Sequence, residues 1–280
     1  TWTLQFSARA EQQDVSAPLL PNYDDSAFGA SLGAIWSPTD VLSLAANLSL
    51  TERHPNSTEL YADGPHLAVQ RYERGSVTAG LGLLKKERST NVDLTFRTQA
   101  GPFEINVTGF TNVVDDYIVL RPTPQVIDEL QVFEYGQADV DMYGAEAEAT
   151  FDIFRDGNGH LHARVSADFV QAEESTGAYL PRIPPLRYGL GLHYTRDVFE
   201  ASVEAIRHDD QRNTAAGELP TEGYTLLSAE ASIRFANEQV LAYIRGTNLG
   251  DEDARRHTSP LKDLVPLPGR SIQLGLRWDF

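Results

Sequence analysis

Histidine and carboxylate side chains are the residues here whose types and placement suggest site chemistry. The chain has seven histidines and no cysteine. Neutral imidazole and carboxylate are suitable donors for zinc and related divalent metals, and no thiolate competes with them. His66 closes the run Asp63-Gly-Pro-His, with Glu59 and Asp63 as nearby oxygen donors, and His257 sits in Arg-His-Thr-Ser. His66, His257, Asp63 and Glu59 are therefore among the candidate metal residues. His54 and His208 also lie in or beside long polar connections. His160 falls at a turn, and His162 and His193 fall on the polar face of strand-like segments. All three are read as incidental. The ordinary alternative for any one loop histidine is a solvated surface residue. No H-E-x-x-H, G-x-S-x-G or P-loop is present, so the expectation is a protein that is not an enzyme and holds no resident cofactor. Asp156-Gly-Asn-Gly lacks the later glutamate of a calcium loop and reads as a tight hairpin turn.

The elements that must position these residues are strands. Alternation with period two dominates the chain. Ile272, Leu274, Leu276, Trp278 and Phe280 share one face of the last segment, and Leu42, Leu44, Ala46, Leu48 and Leu50 share one face of an early one. Twelve such segments are predicted, at about 2–13, 27–37, 40–52, 88–99, 102–119, 138–154, 160–172, 186–195, 197–207, 223–235, 239–248 and 269–280. Most reach the length of about 9–11 residues that a tilted strand needs to cross a bilayer.

The connections carry further information. Short ones at 37–40, 99–101, 154–159, 195–197 and 236–238 alternate strictly with long ones at about 14–26, 53–87, 120–137, 173–185, 208–222 and 249–268. A transmembrane barrel sorts short turns and long loops to opposite rims, and a soluble β-sandwich has no reason to. Trp2, Trp36, Tyr188, Tyr194 and Trp278 lie toward strand ends, as an interfacial aromatic girdle would. Charged residues such as Asp93, Glu104, Glu146, Glu148, Asp168 and Glu204 would line a wet lumen. The predicted fold is all-β, an antiparallel transmembrane β-barrel portion of about twelve meandering strands, with a soluble sandwich as the alternative.

The chain has 280 residues, 40 acidic against 23 basic, and a formal charge of −17. That balance argues against a general nucleic-acid binder, which needs basic surface to displace counterions. Acidic loop residues, including Asp24, Asp25, Asp128, Glu129, Asp209 and Asp210, would concentrate cations at a mouth, or serve solubility alone. No run of about 18 apolar residues suggests a transmembrane helix. The chain opens directly in a strand pattern, so a mature chain or part of a longer one is expected.

Ordered motifs point further. RHPNSTELYADGPH, KKERSTNVDLTFR, GPFEINVTGFTNVVDDYIVL, VDMYGAEAEATFDI and GTNLGDEDAR, followed by a terminal Phe280, resemble in family order the C-terminal half of a TonB-dependent outer-membrane receptor. DGPHLAVQRYERG, LPRIPPLRYGLGLHY and RRHTSPLKDLVPLPGRSIQLGLRWDF resemble the zinc-uptake receptors of that family, and His66 is the histidine that best matches their pattern. The resemblance implies that residues 1–280 are the C-terminal part of a 22-strand barrel, with the plug domain and TonB box absent from this chain. It implies outer-membrane lipid and the TonB complex as partners, a bacterial outer-membrane location, and active uptake of zinc or a related metal. Siderophore, haem or cobalamin uptake is the alternative within the family. A twelve-strand translocator or porin barrel is the alternative outside it.

Overall fold

The computed structural model describes residues 1–236 and 239–278. Phe280 and part of the expected turn at 236–238 lie outside the described residues. Twelve strands follow one another in nearest-neighbour antiparallel order. They are β1 (Trp2–Val15), β2 (Tyr23–Thr39), β3 (Leu42–Arg53), β6 (Glu87–Ala100), β7 (Phe103–Ile127), β8 (Leu130–Asp156), β9 (Gly159–Glu174), β10 (Arg187–Arg196), β11 (Phe199–His208), β12 (Tyr224–Phe235), β13 (Val240–Thr247) and β14 (Ser271–Trp278). Two short strands, β4 (Asp63–His66) and β5 (Arg71–Arg74), belong to the connection between β3 and β6, with a single-turn helix α1 (Ser57–Tyr61) before them.

Register converts the alternating sequence into two continuous faces. On one face Leu4, Ala34, Ala46 and Leu94 stand side by side across four strands, and so do Val203, Ala229, Gly246 and Ile272 at the far end. On the other face Glu104, Thr150, Arg164, Gly191, Glu204 and Ser228 form one row across six strands. The apolar face is uncovered: Phe6 is 89% exposed, Leu274 79% and Leu276 76%. An apolar surface running the width of the sheet is far larger than the few hundred Å² that a soluble monomer leaves open. Among the described residues no second sheet packs on it, which excludes the sandwich and matches the lipid-facing band of a barrel. Buried apolar clusters form instead near the long-connection ends of the strands. Tyr23, Leu60, Leu84 and Ile118 make one, and Val119, Val140, Ala172 and Leu180 make the other.

The strand pairing sends the connections 16–22, 54–86, 175–186, 209–223 and 248–270 to one rim, and 40–41, 101–102, 157–158 and 197–198 to the other. β1 and β14 stand at opposite ends of the sheet, and no pairing joins them among the described residues. That open arrangement is the one expected of part of a larger barrel.

One expected loop is not a loop. The segment 120–137 continues β7 and β8 into a hairpin that closes through Asp128-Glu129, both at left-handed φ (49° and 65°). A two-residue turn of this kind matches the twist of the flanking strands. It lacks the usual Asn-Gly or Asp-Gly signature. Pro122 and Pro124 also argue against a strand, because proline cannot donate to the ladder. The register shift between Pro122 and Val126 absorbs them.

Candidate functional site

The connection 54–86 is built on Asn56. Its Oδ1 accepts from the N–H groups of Thr58 (2.9 Å) and Glu59 (3.0 Å), while Glu59 Oε2 accepts from the Asn56 N–H (2.8 Å). This reciprocal cap satisfies the free donors at the start of α1. Arg53, at the end of β3, then donates to Glu87 (2.7 Å from both Nε and Nη2) and to Glu59 (3.1 and 3.2 Å). Glu59 is thus held by a cap and an ion pair rather than presented to the mouth.

β4 and β5 form a hairpin that docks through parallel pairing of β5 with Gln131–Glu134 of β8. Along β4, Asp63 accepts from the Tyr72 hydroxyl at 2.9 Å. His66 places Nδ1 2.9 Å from Glu73 Oε1, and Arg71 Nε donates to the same oxygen at 2.7 Å. Burial works against ionisation of Glu73, but the bonds from His66 and Arg71 outweigh it and hold the carboxyl below its ordinary range. An ionised carboxylate only accepts, so Nδ1 of His66 is the donor, and a metal would be ligated through Nε2 in its deprotonated form. The His66 side chain is 52% exposed. A carboxylate that orients an imidazole for ligation through its other nitrogen is a frequent zinc arrangement.

His257 is placed differently. Its side chain is fully buried. Nδ1 is 2.9 Å from Thr221 Oγ1, Nε2 is 3.2 Å from Glu218 Oε1, and Lys262 Nζ lies 2.8 Å from the same carboxylate oxygen. Burial opposes the charge on Glu218, yet bonds from His257, Lys262 and the N–H groups of Ala215 and Arg182 hold its carboxyl down at about 2. The cluster ties connection 209–223 to connection 248–270.

The four candidate donors therefore lie on three separate segments, with only Asp63 and His66 on one element, and each has its own hydrogen-bond partners. The three-donor group within ligating reach among the described residues is instead Asp152, His160 and His162, on the polar face beside the short-turn rim. Their sequence signal is slight: His160 and His162 share a face, but nothing in sequence reveals which carboxylate lies opposite.

At the long-connection rim a cavity of about 340 Å³ is lined by Arg71, Arg121, Phe133, Tyr179, Arg182 and Lys262, among others. Glu174 and Glu218 pair with Arg121 and Lys262 there. The connections at this rim, with the Asp128-Glu129 turn included, carry thirteen acidic and ten basic residues. The mouth is net acidic by a small margin, and most of the chain's negative charge lies on the strands.

Residues 1–249 match the family described as TonB dependent receptor-like, beta-barrel. The chain belongs to this TonB-dependent receptor family. It is 23% identical over 248 residues to the vitamin B12 transporter BtuB of Vibrio vulnificus (strain YJ016), covering 84% of this chain and 35% of that protein. Its fold superposes on the copper transporter OprC with a TM-score of 0.84 at 20% identity, covering 100% of this chain and 45% of the other. The FrpB iron transporter from Neisseria meningitidis superposes at 0.75 and 18% identity, with 100% and 43% covered. This TonB-dependent receptor chain thus spans less than half the length of these relatives. Those relatives are transporters rather than enzymes, and barrels of this family are outer-membrane proteins of Gram-negative bacteria.

Proposed function

We propose that the chain is wall and mouth of an outer-membrane receptor that takes up a divalent metal, zinc foremost, with energy delivered by the TonB complex through a segment outside this chain. The observation that carries the reading is the Glu73–His66 pair at 2.9 Å, which orients a half-exposed imidazole on a hairpin of the long-connection rim. Further donors come from elsewhere in the receptor, since Glu59, Asp63 and His257 are engaged with other partners. A second reading, uptake of an anionic metal chelate, is favoured by the rim cavity, where Arg71, Arg121 and Arg182 accompany Phe133 and Tyr179. Guanidinium groups suit carboxylate- or catecholate-bearing ligands better than a bare cation.

The test uses the full-length receptor. His66→Ala is expected to weaken zinc binding at least tenfold and to slow zinc-limited growth at normal receptor abundance. Unchanged zinc affinity removes His66 from the site. Tight binding of a ferric siderophore by wild type, with no zinc affinity, replaces zinc by the chelate.

A further inference from the structure

A second cluster of donors lies far from the mouth, on the polar face beside the short turns. Asp152 of β8 is the register partner of His162 on β9, and His162 is the register partner of His193 on β10. His160 and His162 are two residues apart on one strand and so share a face. Ligand atoms of Asp152, His160 and His162 all lie within 4.8 Å of one another. The rings of His160 and His162 are 5.0 Å apart, and those of His162 and His193 also 5.0 Å.

Three features set this cluster apart from stray polar residues. The register shift between Asp152 and Phe154 aims the carboxylate across the strand pair, so that Asp152 Oδ1 is 2.7 Å from His160 Nε2 while its residue stands opposite His162. Bulges re-aim side chains in this way. Second, Nδ1 of His162 is buried and has no hydrogen-bond partner, and an unpaired buried polar atom is costly unless something binds it. Third, Arg155 already places a cation there, with its guanidinium 3.3 Å from Asp152 Oδ2 and 3.2 Å from His160 Nε2. The Arg155 side chain is 68% exposed and free to swing toward water.

We propose that Asp152, His160 and His162, with His193 alongside, bind a divalent transition-metal cation of the class that accepts mixed imidazole and carboxylate donors, such as zinc, copper(II) or nickel(II). Donor atoms around a four-coordinate zinc stand about 3.3 Å apart, given bonds of about 2.0–2.1 Å. The cluster reaches that spacing by small rotamer changes on a strand framework, with Arg155 withdrawing as the ion enters. The inference does not depend on which cargo the mouth selects.

The full-length receptor in detergent, stripped by chelator, is titrated with Cu²⁺. Metal content per chain is measured after dialysis, and electron paramagnetic resonance reads directly bonded nitrogens. Wild type is expected to hold one more Cu²⁺ than His160→Ala/His162→Ala and to show a nitrogen-split component that this variant loses and that His66→Ala keeps, whatever copper His66→Ala gives up at the mouth. Equal metal content and an unchanged spectrum in the double variant overturn the proposal. So does loss of that same component in His66→Ala, which would place it at the mouth. If the double variant fails to form a folded barrel, His162→Gln carries the test: a loss of about tenfold or more in Cu²⁺ affinity is expected, and an unchanged affinity identifies a hydrogen-bonded cluster only. Arg155→Gln is expected to tighten binding several-fold, and weaker binding counts against the competing-cation arrangement.

Discussion

Phe110 lies across Gly144 on the neighbouring strand. The two are register partners, and a Cβ on Gly144 would sit 2.6 Å from Phe110 Cζ and inside contact distance of the Phe169 carbonyl oxygen. Tyr243 and Gly275 repeat the relationship, with a Cβ on Gly275 overlapping the tyrosine ring. An aromatic ring folded over a strand glycine covers otherwise bare backbone and pins the register. Gly144→Ala is therefore expected to destabilise the barrel by about 1–3 kcal/mol, the usual range for overpacking. Urea unfolding of the detergent-folded receptor measures this. Phe110→Ala in the same chain should recover part of the loss, since the ring clash disappears and the Phe169 backbone clash stays.

The Arg53 bridge makes a second prediction. Arg53→Ala removes the four hydrogen bonds to Glu59 and Glu87 and leaves these carboxylates, whose side chains are only 12% and 11% exposed, without that cation. Arg53 itself is 47% exposed, so the expected loss is about 1–3 kcal/mol rather than the full value for a buried pair. The loss should fall on connection 54–86. Limited proteolysis is expected to cut there faster while the strand framework stays intact. An unchanged cleavage rate would show that the docking of β5 on β8 holds the segment alone.

Glu218 gives the rim a pH dependence. Its folded-state value is depressed to about 2 from an ordinary 4.5. Its contribution is complete above about pH 4.5 and is lost as pH falls from there through 2. A fluorophore at Leu264, an exposed position in the same connection as Lys262, should report loosening over that window. Glu218→Gln should flatten the profile. Lys262→Ala should loosen the rim even at neutral pH, by as much as about 3–5 kcal/mol, because it strands a carboxylate 9% exposed beside buried His257.

The outward face supplies a fourth test. Leu274 is 79% exposed on the apolar face of β14, and Gln273 is on the opposite face. Leu274→Arg is expected to cost about 2–4 kcal/mol of folding free energy in lipid vesicles, and Gln273→Arg much less. Equal costs at the two positions would contradict the assignment of faces.

The twelve segments, their alternating faces and most of the sorting of short turns from long connections were legible in the residues. The physical reason is that a strand's side-chain period is two, so Ile272, Leu274 and Leu276 must share a face whatever the strand pairs with. Ordered motifs also carried the family. Local signals misled only where turn chemistry was unusual, at Asp128-Glu129 behind two prolines. The sites were another matter, because a site depends on which strand positions become neighbours. His66 could be marked as a donor from its setting in the chain, but its partner Glu73 arrives only when β4 folds back on β5. His257 looks like a loop residue in sequence, yet three other side chains from two connections bury it. Asp152, His162 and His193 lie on three strands and meet only through register, which a bulge at one residue resets. Periodicity is local and can be read along the chain. Register between strands is set by turns, bulges and cross-strand packing, and only the tertiary structure decides it.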